Sequence, residues 1–228
     1  GFVNLLKWTY SQGARMVDER ILIELAALGN IEDVKWALSK GLKTQPWKIA
    51  REASKHSHFE LAKWVCLQEA YVFLHGICPP AVQYSNIEVL EWTIRMSNNP
   101  QGVLDLVIPE AAERGLIIVL EWGERELMKY DLPSVELWKQ AANYAAISGR
   151  TVVLNWLLNR CALSVLNPIS ICNAAISNKK LDILIWLKAQ GSLQLNEESM
   201  RLAAINGDLG IVRFCHENDV SWPNHICQ

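Results

Sequence analysis

Seven tryptophans recur in one local setting along this chain: Trp8, Trp36, Trp64, Trp92, Trp122, Trp156 and Trp186, with Phe214 in the same place of an eighth copy. Successive spacings are 28, 28, 28, 30, 34, 30 and 28 residues. A fixed period in the range of about 20–50 residues marks a repeat array, in which each copy is one supersecondary unit that buries its apolar face against its neighbours. No other feature of the chain limits the possible folds as strongly.

The unit is read by taking the residue seven before each aromatic as an anchor. The anchors are Gly1, Gly29, Ser57, Ser85, Gly115, Gly149, Lys179 and Gly207, and Gly or Ser suits a tight turn between two helices. Four before the anchor stand Leu25, Ala53, Ala81, Ala111, Ala145, Ala175 and Ala203. With the apolar places at seven and eight before, they form one stripe of a helix, and its small residues let neighbouring helices approach. After the anchor, apolar residues return at two, five and seven: Ile31, Val34 and Trp36, or Ile117, Leu120 and Trp122. This is a second, bulkier amphipathic helix. A charge precedes the aromatic in several copies, as Lys35, Lys63, Glu91, Glu121 and Arg213, and is read as exposed. Helix starts are expected at Asn167-Pro168 and at Asn196 before Glu197-Glu198. The expected fold is therefore an all-α solenoid of stacked helix–turn–helix repeats. It forms one continuous array over residues 1–228, with about seven full units and partial units at both ends. Because Gly1 aligns with an anchor, the chain reads as a segment of a longer array.

AAERGLIIVLEWG (111–123), AAISGRTVVLNWLL (145–158) and AAINGDLGIVRFC (203–215) resemble the A-A-x-x-G-H-x-x-V-x-x-L-L core of ankyrin repeats, with the Trp in place of the first Leu of the pair. The usual unit is about 33 residues. The shorter units here leave little room for the β-hairpin finger that the family carries. The Trp-rich, short-unit form is similar to divergent ankyrin repeats of large DNA viruses and protists. The resemblance implies a protein-binding scaffold.

Charge and composition exclude several other classes. Residues 1–114 carry 12 basic and 13 acidic residues, and residues 115–228 carry 10 and 11. Neither half has the basic excess expected of a nucleic-acid binder. No apolar run reaches the roughly 18–20 residues that cross a bilayer, and no signal peptide opens the chain. The cysteines Cys66, Cys78, Cys161, Cys172, Cys215 and Cys227 form no C-x-x-C pair. They are read as free, mostly buried thiols of an intracellular protein, in the cytoplasm of a cell or of an infected host cell.

No motif for catalysis or cofactor binding is present: G-x-S-x-G, the P-loop, H-E-x-x-H and G-x-G-x-x-G are all missing. The chain is expected to be no enzyme and to hold no cofactor or metal. Cys215, His216, His225 and Cys227 lack the spacing of a zinc site. His58 is read as making a local turn hydrogen bond. The Trp series lies at helical spacing and is expected in the core, while Trp47, Trp138 and Trp222 fall outside it near helix starts.

The candidate binding surface is the exposed stripe of the first helices, whose chemistry changes between units while the core stays constant. Its residues are Lys48, Arg51 and Lys55 in one unit, Gln140, Asn143 and Tyr144 in a later one, then Asn173 and Arg201. The expected partner is another protein. The rival readings are a structural subunit of a larger assembly and a substrate adaptor whose effector segment lies outside this chain. Pro79, Pro80 and Pro109 fall in first helices, which are therefore expected to be short, kinked or late to begin.

Overall fold

The anchors derived from the tryptophan spacing are the points where the backbone turns left-handed. A computed structural model of the chain describes residues 2–14, 18–68, 76–160 and 166–222. In it φ is positive at Gly29, Ser57, Ser85, Gly115, Gly149, Lys179 and Gly207, every anchor after Gly1. The turn is closed by the helix before it. The anchor N–H donates to the carbonyl three residues back, as Gly149 to Ala146 at 3.2 Å, and after Ser57, Ser85, Gly115, Gly149 and Lys179 the next N–H reaches the alanine four before the anchor, as Arg150 to Ala145 at 2.7 Å. This pair of bonds satisfies carbonyls that a helix end would otherwise leave open. Lys179 holds the same conformation without glycine's freedom, a strain of roughly 1–2 kcal/mol.

The chain divides into two compact units, residues 1–103 and 104–228. In the first, α1 (Phe2–Ser11) is followed by three pairs: α2 (Arg20–Leu28) with α3 (Ile31–Ser39), α4 (Pro46–Lys55) with α5 (Phe59–Cys66), and α6 (Cys78–Gln83) with α7 (Ile87–Met96). The first helices pack side by side, α2 on α4 and α4 on α6. The unit boundary falls inside α8 (Pro100–Arg114). The second unit continues with α9 (Ile117–Lys129) and three pairs: α10 (Val135–Ser148) with α11 (Thr151–Leu158), α12 (Pro168–Ser177) with α13 (Leu181–Ala189), and α14 (Glu197–Ile205) with α15 (Leu209–Glu217). Again α10 lies on α12 and α12 on α14. No strand occurs among the described residues, and none of their helices is long and apolar enough to cross a membrane.

Small residues at minus four are the floor of this packing. Ala53, Ala81, Ala111, Ala145, Ala175 and Ala203 are all fully buried. The second helices bury a stripe rotated from the expected one. Leu61, Val89, Val119, Val153, Ile183 and Ile211, four after the anchor, are in the core with Val65, Leu157 and Leu187, eight after it. At about 100° per residue these places centre the stripe, which leaves positions two and seven at its edges. That geometry corrects the expectation that the whole aromatic series is core. Trp122 is 0% exposed and Trp156 8%, whereas Trp8 is 60% exposed. Trp36, Trp64, Trp92, Trp186 and Phe214 are half-buried.

Four of the five half-buried rings, Trp36, Trp64, Trp92 and Phe214, have a lysine over them. Lys7 Nζ lies 5.5 Å from the Trp36 ring, Lys35 5.6 Å from Trp64 and Lys63 5.8 Å from Trp92. Each of these three lysines directly precedes the tryptophan of its own repeat, so the 28-residue period places it over the ring of the next. In the second unit the equivalent residue before Trp156 is Asn155, whose Oδ1 accepts a 3.0 Å bond from the Trp186 indole N–H.

Proline acts differently at its two sites. As expected, α6 is short, with Pro79 and Pro80 in its first turn. Around Pro109 the expectation of a short or late helix fails, because α8 begins at Pro100 and runs through Pro109 to Arg114. The lost hydrogen bond and ring clash cost about 3 kcal/mol. Full burial of Leu104, Val107, Ile108, Ala111 and Ala112 on the same helix outweighs it. The caps at Asn167 and Asn196 form where expected, accepting from the backbone N–H groups of Ser170 and Ser199.

Candidate functional site

The exposed stripe of the first helices begins on α4. Pro46 opens this helix, and Ile49, Ala50, Ala53 and Ser54 turn inward, which sends Lys48, Arg51 and Lys55 toward the opposite side. Lys48 is half-buried and forms an ion pair with Glu19 at 3.2 Å. The Thr44 hydroxyl, and after it Lys48, holds the Glu19 carboxyl below its usual range. Lys55 pairs within the helix with Glu52 at 2.8 Å and lowers that carboxyl's pKa in turn. Arg51 is exposed and forms no ion pair among the described residues.

In the second unit the stripe crosses α10, α12 and α14. Gln140 and Tyr144 are exposed on α10, Tyr144 at 41%. Asn143 and Asn173 are half-buried and belong to a ladder between neighbouring helices. The Ser170 hydroxyl donates to Asn143 Oδ1 at 3.0 Å, and the Ser199 hydroxyl donates to Asn173 Oδ1 at 2.7 Å. Arg201 on α14 is exposed and bonded through two nitrogens to Glu198, whose carboxyl it holds below the ordinary range. The structure thus sorts the eight candidates. Arg51, Gln140 and Tyr144 are presented outward and unengaged, Lys48, Lys55 and Arg201 are exposed or half-buried in ion pairs, and Asn143 and Asn173 join repeat to repeat.

Sequence reasoning missed one apolar member of this stripe, the exposed Ile205 on α14. The place two before the anchor carried the signal for Ile205. His58 also departs from its expected role. Its Nε2 contacts the Ala27 carbonyl at 3.0 Å, 31 residues away in the preceding repeat. The same device recurs as Tyr84 Oη to Lys55 O, Arg150 Nε to Glu113 O and Asn206 Nδ2 to Ile176 O. A side chain beside each of these turns therefore satisfies a carbonyl at the end of the first helix before it. Gly29 is needed for this contact, since a Cβ there would collide with the His58 ring.

The remaining chemistry is buried. Cys66, Cys172 and Cys215 are free thiols in the core, and Cys78 is buried there as well. Burial pushes the Cys66 thiol up to about 12 and that of Cys215 up to about 11, so neither is an activated nucleophile near neutral pH. Of the four residues weighed as a zinc site, His225 and Cys227 lie outside the described residues, as does Cys161. Among the described residues no group of three His, Cys, Asp or Glu side chains is placed to hold a metal ion. Trp47 donates to Gln45 at 2.6 Å, Trp138 stands edge-on to Trp156 with centroids 5.6 Å apart, and Trp222 is exposed beside His216. No protein-family model and no curated protein matches the chain.

Proposed function

We propose that this chain is a divergent ankyrin-type solenoid that binds another protein through the exposed stripe of its first helices, as an intracellular scaffold and not as an enzyme. The observation that carries the reading is the contrast within each first helix. The buried side repeats alanine at one place through six copies, while the outward side passes from Arg51 and Lys55 to Gln140 and Tyr144 to Arg201 and Ile205. A constant scaffold with a varied rigid surface is what a binding array of stacked helix pairs provides. Tyr and Arg are the residue types most able to anchor such a contact.

The test is capture from the native source with quantitative mass spectrometry, comparing the unaltered chain with Arg51→Glu and with Tyr144→Ser. Both sites are exposed, so circular dichroism and melting should be unchanged. The reading expects a protein retained by the unaltered chain and depleted at least ten-fold by one of the variants. Partners retained equally by all three chains would reject the first-helix stripe as the binding face.

A further inference from the structure

The second unit contains a cleft of about 370 Å³ that the first-helix stripe does not include. Clefts of roughly 300–1,000 Å³ are the usual size of sites for small groups. It forms because α9 overshoots and then turns sharply. Asp131 takes a left-handed φ of 50°, and the Leu132 N–H returns to the Leu127 carbonyl at 3.0 Å before the chain enters α10. Leu127, Leu132 and Leu157 supply apolar lining, and Trp138 and Trp156 supply aromatic walls. Met128 and Val135 border it and are 74% and 53% exposed.

The walls are held in place by contacts within the second unit. The Arg160 guanidinium lies 3.9 Å from the centroid of the Trp156 ring, while its Nε donates to both oxygens of Glu124 at 2.9 and 3.0 Å. Trp138 meets the same indole edge-on at 5.6 Å. Glu124 thereby neutralises Arg160. Asp131, which also lines the cleft, forms no ion pair among the described residues. The net result is a cleft with leucine and aromatic walls, a paired Glu124 and Arg160 at one side and the unbalanced Asp131 carboxylate in its lining.

We infer that this cleft is a second docking point, taking one large apolar side chain of a partner protein whose neighbouring Lys or Arg pairs with Asp131. The inference rests on the reading of the chain as a protein binder. Preformed aromatic pockets of this kind are where a single inserted side chain contributes most to binding, and the adjacent charge selects among sequences.

The probes are two capped dipeptides, acetyl-Phe-Lys-amide and acetyl-Phe-Glu-amide, titrated into protein labelled with nitrogen-15 at the indoles. The Trp138 N–H resonance is assigned with Trp138→Phe. The expected result is a saturable shift of that resonance, with the Lys peptide about two- to five-fold tighter, as for an exposed ion pair. Asp131→Asn, which suits the left-handed turn, should retain binding and abolish the preference. Val135→Arg should block both peptides by filling the cleft and engaging Asp131. No shift with either peptide, or equal affinities in the unaltered chain, would overturn the inference. Arg51→Glu and Tyr144→Ser should leave the peptide response intact. A silent cleft alongside their loss of partner capture would reject the cleft alone, and the reverse pattern would reject the first-helix stripe alone.

Discussion

Residues 1–103 and residues 104–228 start from the same repeated tryptophan and treat it in different ways. In the first unit the pairs are built on a strict 28-residue period, and Trp36, Trp64 and Trp92 are left half-buried beneath lysines from the preceding repeat. In the second unit the spacing first stretches, α9 and α10 are longer than any helix of the first unit, and Trp122 and Trp156 are drawn into the core, while Trp186 and Phe214 stay half-buried, Phe214 with Lys188 5.7 Å over its ring. That burial leaves both indole N–H groups without an acceptor in the described structure. One position thus has two solutions. A ring at the edge of the stripe can be shielded by a cation, or covered by longer helices at the cost of an unpaired donor, about 1–3 kcal/mol.

The largest test of this contrast is a pair of truncations. Trp122→Ala is expected to destabilise by about 3–5 kcal/mol, as fully buried aromatics do, and Trp64→Ala by roughly half as much. Denaturant midpoints measure both, and equal losses would remove the distinction between the units. A smaller effect separates their turns. Gly29→Ala must adopt a left-handed φ and displace the His58 ring, an expected cost of about 2–3 kcal/mol. Gly149→Ala meets only the flexible Lys180 side chain at 3.4 Å and should cost about 1–2 kcal/mol. Thermal melting of the two variants checks the order. The smallest expected effect concerns the shielding groups. Lys35→Met keeps the aliphatic stem and loses the cation over Trp64, for about 0.5–1 kcal/mol. Asn155→Ala loses the bond to the Trp186 indole, for about 0.5–1.5 kcal/mol. A neutral Lys35→Met would make the lysine ladder incidental.

The turns were legible in the sequence because they depend on local chemistry. Gly or Ser at one phase, with Ala four residues earlier in six of seven copies, located every left-handed anchor after Gly1, including Lys179, where the residue type gave no help and only the register did. The Asn167 and Asn196 caps were legible for the same reason. The orientation of the second helices was not. Its apolar residues cover more than half the turn, so a stripe through positions two, five and seven and one through four, five and eight differ by less than the pattern resolves. Burial by neighbouring repeats decided between them, and it is a tertiary effect. Pro109 misled the reading in a similar way, since a local cost of about 3 kcal/mol is visible in sequence and the burial that offsets it is not. Within the candidate stripe, residue type identified exposed places on α4 and α10. It did not reveal that Asn143 and Asn173 are occupied by Ser170 and Ser199, contacts made across 27 and 26 residues. Nor did it reveal the cleft at Trp138, which depends on where α9 stops.

On the proposed function, a partner protein rests on the first helices. Hydrogen–deuterium exchange of the chain alone and with its captured partner tests it most directly. The expected result is slowed exchange in the complex over peptides of α4 or α10, around Arg51 or around Gln140 and Tyr144, with α5, α11 and α13 unchanged. Slowed exchange confined to those second helices, with α4 and α10 unaffected, would contradict it.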